Sequence, residues 1–162
     1  MMRNGKRSED DVFWMRQALT EAEKALEAGE VPIGAVIVGG GQVLARAYNR
    51  TETLCDVTAH AEMQAFTAAA DAIGAKYLNE CTLYVTLQPC PMCAGAAYWT
   101  QIGRIVYGTT DVKHAQVDRS VLYHPKTEVV AGVLAEECAA LLQAFFSRKR
   151  KASAGKGLPT DK

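Results

Sequence analysis

The segment Pro89-Cys90-Pro91-Met92-Cys93 places two thiols three residues apart. On the first turn of a helix that spacing brings both sulfurs to one side, at a separation that a single tetrahedral metal ion can bridge. An isolated C-x-x-C is equally compatible with a dithiol redox pair or with half of a four-cysteine structural site. No second such pair exists, and neither Cys55, Cys81 nor Cys138 stands at ligand spacing from another cysteine. The missing ligand is therefore expected to be a histidine. Of the three histidines, His114 and His124 fall in a loop-like region. His60 alone is followed two residues later by a carboxylate, in Thr58-Ala59-His60-Ala61-Glu62.

Residues two apart in a regular helix point about 200° away from each other, so His60 and Glu62 share a target only where the chain is just entering a helix. That placement also aims the first N–H groups and the positive end of the helix dipole at the site, which favours thiolate and hydroxide there. One imidazole and two thiolates make three protein ligands and leave the fourth tetrahedral position for water, the arrangement of a catalytic rather than a structural zinc. Zinc lowers the pKa of such a water from 15.7 towards about 7, and a carboxylate that is not itself a ligand can carry the proton. His60, Cys90 and Cys93 are thus the expected zinc ligands, one Zn2+ per subunit, and Glu62 the expected proton carrier in a hydrolytic reaction.

The elements that must position these groups follow from periodicity and punctuation. Val12, Met15, Leu19, Ala22 and Leu26 recur at helical spacing, so a first helix is expected from a cap at Asp10 or Asp11 to about Ala28, with Gly29 ending it. Gly34 to Val38 and Gln42 to Tyr48, separated by glycines, predict a β-hairpin. A second helix is expected to start after Thr58, with that hydroxyl as its N-cap, and to close at Gly74. Thr82 to Thr86 predicts a buried strand, Pro91 to Thr100 a helix with proline at its opening, Arg104 to Tyr107 and Val129 to Val133 further strands, and Glu136 to Arg150 a last helix. Strands alternating with helices after a hairpin imply an α/β layered domain around a mixed sheet.

The 162 residues suffice for one core but not for two domains of ordinary size, and 49% hydrophobic with 22% charged residues excludes wholesale disorder. We expect a flexible lead over residues 1–11, a folded domain over 12–150 and a disordered basic tail over 151–162. No run approaches the roughly 18 apolar residues of a membrane span, and Met1 to Asp11 is polar, unlike a signal peptide. No membrane association and a cytoplasmic location are therefore expected, and in a reducing compartment five cysteines argue for metal chemistry over disulfides. The net charge is zero, but six basic residues against one acidic residue from Arg148 onward give that end +5. This tail is either a solvated end or a contact for phosphate.

His60-Ala61-Glu62 followed by Pro89-Cys90-Pro91-Met92-Cys93 resembles the signature of the zinc-dependent cytidine and adenosine deaminase superfamily. Within it, the stretch from about Trp14 to Arg150 most resembles the bacterial tRNA-specific adenosine deaminases, which make inosine at the anticodon wobble position. The likeness is carried by Glu30 to Val36, Asn49-Arg50, Thr58 to Glu62, Thr82 to Leu87, Pro89 to Gly95, Ile102 to Arg104, Asp111 with Lys113, Gly132 to Leu142 and Phe145-Phe146. Two places depart from the pattern. Gln88 stands where glutamate is usual, and Ala115 to Lys126 lacks the usual glycine-rich stretch and looks shortened.

The resemblance implies a three-layer α/β/α cytidine-deaminase-like domain around a mixed, mostly five-stranded sheet, acting as a homodimer. It also implies that Asn49 hydrogen-bonds the substrate nucleoside and that the backbone of Ala61 and Cys90 holds the water and the base edge. Pro89 and Lys113 would line the substrate, and Phe145, Phe146 and Arg148 would touch RNA. From the residues alone, Asn49 is also a good turn residue, and Phe145-Phe146 could be the buried face of the last helix. The expected activity is deamination of adenosine in a tRNA anticodon loop. Its nearest rival is deamination of a free nucleobase or nucleoside of the guanine or cytosine type. A more distant rival is a non-catalytic, zinc-stabilised subunit that binds RNA or a partner.

Overall fold

Apolar residues fill both phases of the central strands, as in a sheet covered on both faces. In the computed structural model, which describes residues 2–155, Ala35, Ile37, Leu83, Val85 and Ile105 pack into one core cluster, while Val36, Val38, Tyr84 and Val106 pack into another. The period of two sorts neighbouring residues to opposite faces. The strands are β1 (Gly34–Gly39), β2 (Gln42–Tyr48), β3 (Cys81–Leu87), β4 (Arg104–Thr109) and β5 (Glu128–Val130), in the order β2-β1-β3-β4-β5. β1 runs antiparallel to β2 and β3, whereas β3, β4 and β5 are mutually parallel. The helices α1 (Met2–Glu27) and α4 (Ala135–Gly155) cover one face, and α2 (Ala61–Ile73) and α3 (Pro91–Thr100) cover the other. This is the expected three-layer α/β/α arrangement with a five-stranded mixed sheet.

The hairpin closes with Gly39 opposite Gln42, so its loop is Gly40-Gly41. Their φ values of 58° and 76° belong to the left-handed region that a two-residue turn of this kind demands at both positions. At Gly108 the requirement is space instead, because a Cβ there would collide with Cys138 Sγ where α4 crosses β4. That close crossing lets α4 lie over the end of the sheet.

Several boundaries differ from expectation, among them β5, which runs over Glu128–Val130 rather than Val129 to Val133. α1 starts at Met2 rather than at Asp10 or Asp11, so residues taken as a flexible lead form its opening turns. Asp11 does not cap a helix. Its carboxylate is buried and takes two hydrogen bonds from the Arg104 guanidinium, at 2.6 and 2.7 Å, and one from the Tyr84 hydroxyl at 2.9 Å. Arg7, one turn earlier, pairs with Glu128 at 3.0 Å. Tertiary ion pairing thus carries the helix through a stretch that composition alone leaves free. At the other end α4 continues past Arg150 to Gly155, and the rest of the expected tail, residues 156–162, lies outside the described residues.

Because β2 and β3 are both antiparallel to β1, the carboxyl ends of β2, β3 and β4 lie at one end of the sheet. The three segments that leave those ends, beginning at Asn49, Gln88 and Thr110, therefore meet there, as ligand-binding loops of open α/β sheets do. Removing Asp11 takes from buried Arg104 its close partner and leaves it, among the described residues, only the half-exposed Glu128, at 3.4 Å. Asp11→Ala is expected to cost about 3–5 kcal/mol in urea denaturation. A loss under about 1 kcal/mol would mean that the pair does not anchor α1.

Candidate active site

His60 is the N-cap of α2, with φ −67° and ψ 153°. Its extended backbone lets its side chain and that of Glu62, inside the first turn, converge as a regular helix would not allow. Thr58, expected as the cap, turns back instead. Its N–H and hydroxyl both donate to Asp56 Oδ1, at 2.8 and 2.7 Å, and so shape the approach to the helix. Upstream, the buried Glu30 carboxylate accepts from Glu52 N at 3.0 Å, Thr53 N at 2.8 Å and Thr53 Oγ1 at 2.7 Å. Gln64 reaches back from α2 to Tyr48 O at 2.8 Å and Ala59 O at 3.0 Å. The segment between β2 and His60 is braced at both ends.

Cys90 repeats the device at the start of α3. It is the N-cap, with φ −65° and ψ 169°, Pro91 follows in the first turn, and Cys93 is fully buried one turn on. His60 Nδ1 lies 3.6 Å from Cys90 Sγ and 3.5 Å from Cys93 Sγ, and the three donor atoms fall within 4.8 Å of one another. Bonds of about 2.0 Å to nitrogen and 2.3 Å to sulfur, opened to the tetrahedral angle, would hold those atoms about 3.6 Å apart. The two nitrogen-to-sulfur distances therefore match one tetrahedral divalent ion.

The electrostatics fit a cation as well. A hydrogen bond from Cys93, with others from His60 and the Cys93 backbone, holds the Cys90 thiol down at about 4. Cys93 is pushed upward by its bond to Cys90 and by burial. The His60 imidazole is raised by its bond to Cys90. Glu62, 4% exposed, is raised to about 7, first by burial and then by the Cys90 charge. Two sulfurs and a carboxyl compete for negative charge in one dry space, and a dication satisfies both thiolates at once.

The site opens into a cleft of about 630 Å³. Asn49 lines it, 5% exposed; its amide donates to Val31 O at 3.4 Å, and its Oδ1 has no partner among the described residues. His60, Ala61, Glu62, Gln88, Cys90 and Lys113 share the lining. Pro89 is buried just behind it. α4 supplies one stripe, Ala139, Leu142, Gln143, Phe146 and Arg150, at helical spacing. Phe145 and Arg148 are not brought to the cleft. Phe145 is buried with Lys149 over its ring at 5.1 Å, and Arg148 is exposed on another face. Gln143, Arg150 and His114, which also line the cleft, were not singled out from sequence. The phase of α4 from Ala139 onward carries the signal for the first two.

A family model for MafB19-like deaminases matches residues 9–150. The tRNA-specific adenosine deaminase of Bacillus subtilis is 45% identical over 156 residues, covering 91% of this chain and 97% of that protein. The chain belongs to the family of the tRNA-specific adenosine deaminases. A solved structure from work on A-to-I editing by tRNA:A34 deaminases is 42% identical, with a TM-score of 0.75 over 80% of this chain and 99% of that one. A guanine deaminase structure from Bacillus subtilis is 38% identical, with a TM-score of 0.59 over 67% of this chain and 71% of that one.

The raised Glu62 pKa has a consequence for stability. In metal-stripped protein the unfolded chain ionises this carboxyl near its ordinary 4.5 and the folded chain only near 7, so its contribution falls as pH rises through that window. Glu62→Gln removes that penalty. The stripped variant should exceed the stripped parent by on the order of 3 kcal/mol at pH 8, and their urea transitions should converge near pH 4.5. A gap that does not change with pH would show that Glu62 is not in a desolvated site.

Proposed function

We propose that this chain hydrolyses the exocyclic amine of adenosine at the wobble position of a tRNA anticodon, forming inosine and ammonia, with zinc held by His60, Cys90 and Cys93. The observation that carries the reading is a buried, protonatable carboxyl, Glu62, beside a three-ligand site that opens into a cleft. Bound there, zinc supplies the Lewis acidity that makes water a nucleophile near neutral pH.

Glu62 takes the proton released by the attacking water and delivers it to N1 of the adenine as the new bond forms at C6. It then passes the second proton to the departing amine. A buried carboxyl whose anionic form is disfavoured by desolvation can serve as base and acid in turn. Asn49, with its unpartnered Oδ1, anchors the nucleoside. Ala61 and Cys90, at the starts of α2 and α3, offer backbone groups to the water and the base edge. The base must be splayed out of its loop to enter, so a few contacts at the mouth decide recognition rather than total charge. Lys113 and Arg150 on the lining, with half-exposed Phe146 between cleft and solvent, suit a polyanion whose bases stack. A free-base deaminase has no need of such a rim, and a purely structural zinc site has no use for Glu62.

One further surface supports assembly as a homodimer. Met92, Gly95 and Trp99 share a stripe of α3, Trp99 is 76% exposed, and its neighbour Tyr98 is also open to solvent. Five free cysteines, two of them needed as ligands, suit the reducing cytoplasm. No helix among the described residues is long and apolar enough to cross a membrane.

Zinc-loaded protein should convert a wobble-adenosine anticodon stem-loop to inosine, and Glu62→Gln should lower turnover by about 10³-fold or more with zinc still bound. Activity confined to free bases or nucleosides would reject the RNA substrate, and appreciable turnover by Glu62→Gln would reject its proton role. Sedimentation should show a dimer that Trp99→Glu dissociates. A monomeric parent would remove the α3 stripe from the argument.

A further inference from the structure

Gln88 and the segment after β4 are joined through one side chain. Arg119 opens a 3₁₀ turn over Arg119–Val121, and its guanidinium is buried behind the cleft wall. Nη1 donates to Asp111 Oδ2 at 3.2 Å and to His114 O at 3.0 Å. Nη2 donates to Gln88 Oε1 at 3.1 Å and to Asp111 O at 3.1 Å. Gln88 Oε1 also accepts from Asp111 N at 3.1 Å. The Asp111 carboxylate in turn takes Lys113 N at 3.2 Å and the His114 ring Nδ1 at 2.7 Å. Because a carboxylate only accepts, Nδ1 carries the proton and Nε2 remains as the other polar edge of the His114 ring.

The charges match one to one. Buried Arg119 faces buried Asp111, and the neutral amide of Gln88 supplies a second acceptor without a second negative charge. A glutamate at position 88 would set two carboxylates around one guanidinium. Gln88 and Arg119 therefore suit each other. Arg119 fixes both carbonyls that bound the 111–114 segment, Gln88 accepts from the N–H of Asp111 at its start, and Lys113 and His114 of that segment line the cleft.

We propose that Arg119 is a positioning residue for substrate recognition, holding residues 111–114 as a rigid wall that presents Lys113 and the His114 ring edge to the substrate. Arg119 itself touches neither the metal ligands nor Glu62 through any hydrogen bond, so its loss should weaken binding and spare chemistry. The inference rests on the cleft being the substrate site, whichever substrate that is.

The test compares zinc-loaded parent, Arg119→Met and Arg119→Lys on an anticodon stem-loop or, if the parent turns over only a free base, on that base. A parent inactive on RNA thus rejects the proposed substrate and leaves this comparison intact. Arg119→Met should raise KM about tenfold with kcat within about twofold, and should speed amide exchange over 111–114 but not at the starts of α2 and α3. Arg119→Lys keeps the charge but not the fork and should raise KM about threefold, which carries the test if Arg119→Met does not fold. An unchanged KM, a fall in kcat that accounts for the whole fall in kcat/KM, or unchanged exchange over 111–114 would overturn the proposal.

Discussion

Three donor atoms from two distant segments meet at tetrahedral spacing because two helices begin with extended caps at the same end of one sheet. The cap matters because it breaks helical phase. In mid-helix His60 and Glu62 would diverge, but with ψ at 153° on His60 they reach one site from adjacent turns. Cys90 and Pro91 do the same for the thiol pair. The rest of the molecule serves that convergence, since β1 must lie antiparallel to both β2 and β3 for the two segments to leave the sheet on the same side.

Charge is then set by exclusion of water. His60 and Cys90 stand at helix N-termini, where the dipole suits thiolate, while burial of Glu62 works against its anionic form. The same small space thus favours negative charge on Cys90 and keeps the proton on Cys93 and on the Glu62 carboxyl.

The wall and roof of the cleft come from parts that look unrelated in the chain. α4 crosses the sheet end through the space that Gly108 leaves, and turns one stripe, ending in Phe146 and Arg150, towards the opening. Opposite it, a buried arginine from a short loop ties down the segment after β4. The rim is cationic although the chain as a whole is neutral. A polyanionic substrate would meet local charge rather than net charge.

The grouping of His60, Cys90 and Cys93 beside Glu62 was legible from spacing and residue chemistry, because the ligand set of a tetrahedral ion and the need for a free carboxylate leave few combinations among three histidines and five cysteines. The strands and most helices were legible too, since a period of two and a period of 3.6 are properties of the local chain. Tertiary structure alone decided what depended on partners far away. Asp11 was legible as a helix opener but is buried against Arg104, 93 residues on. Thr58 suited a cap but bonds Asp56. Phe145 and Phe146 are indistinguishable as a dipeptide, yet one is buried and the other lines the cleft, because the phase of α4 is set by what it packs against. Gln88 and Arg119 carry no local signal of each other, since an electrostatic match between residues 31 apart exists only once the fold has brought them to 3.1 Å.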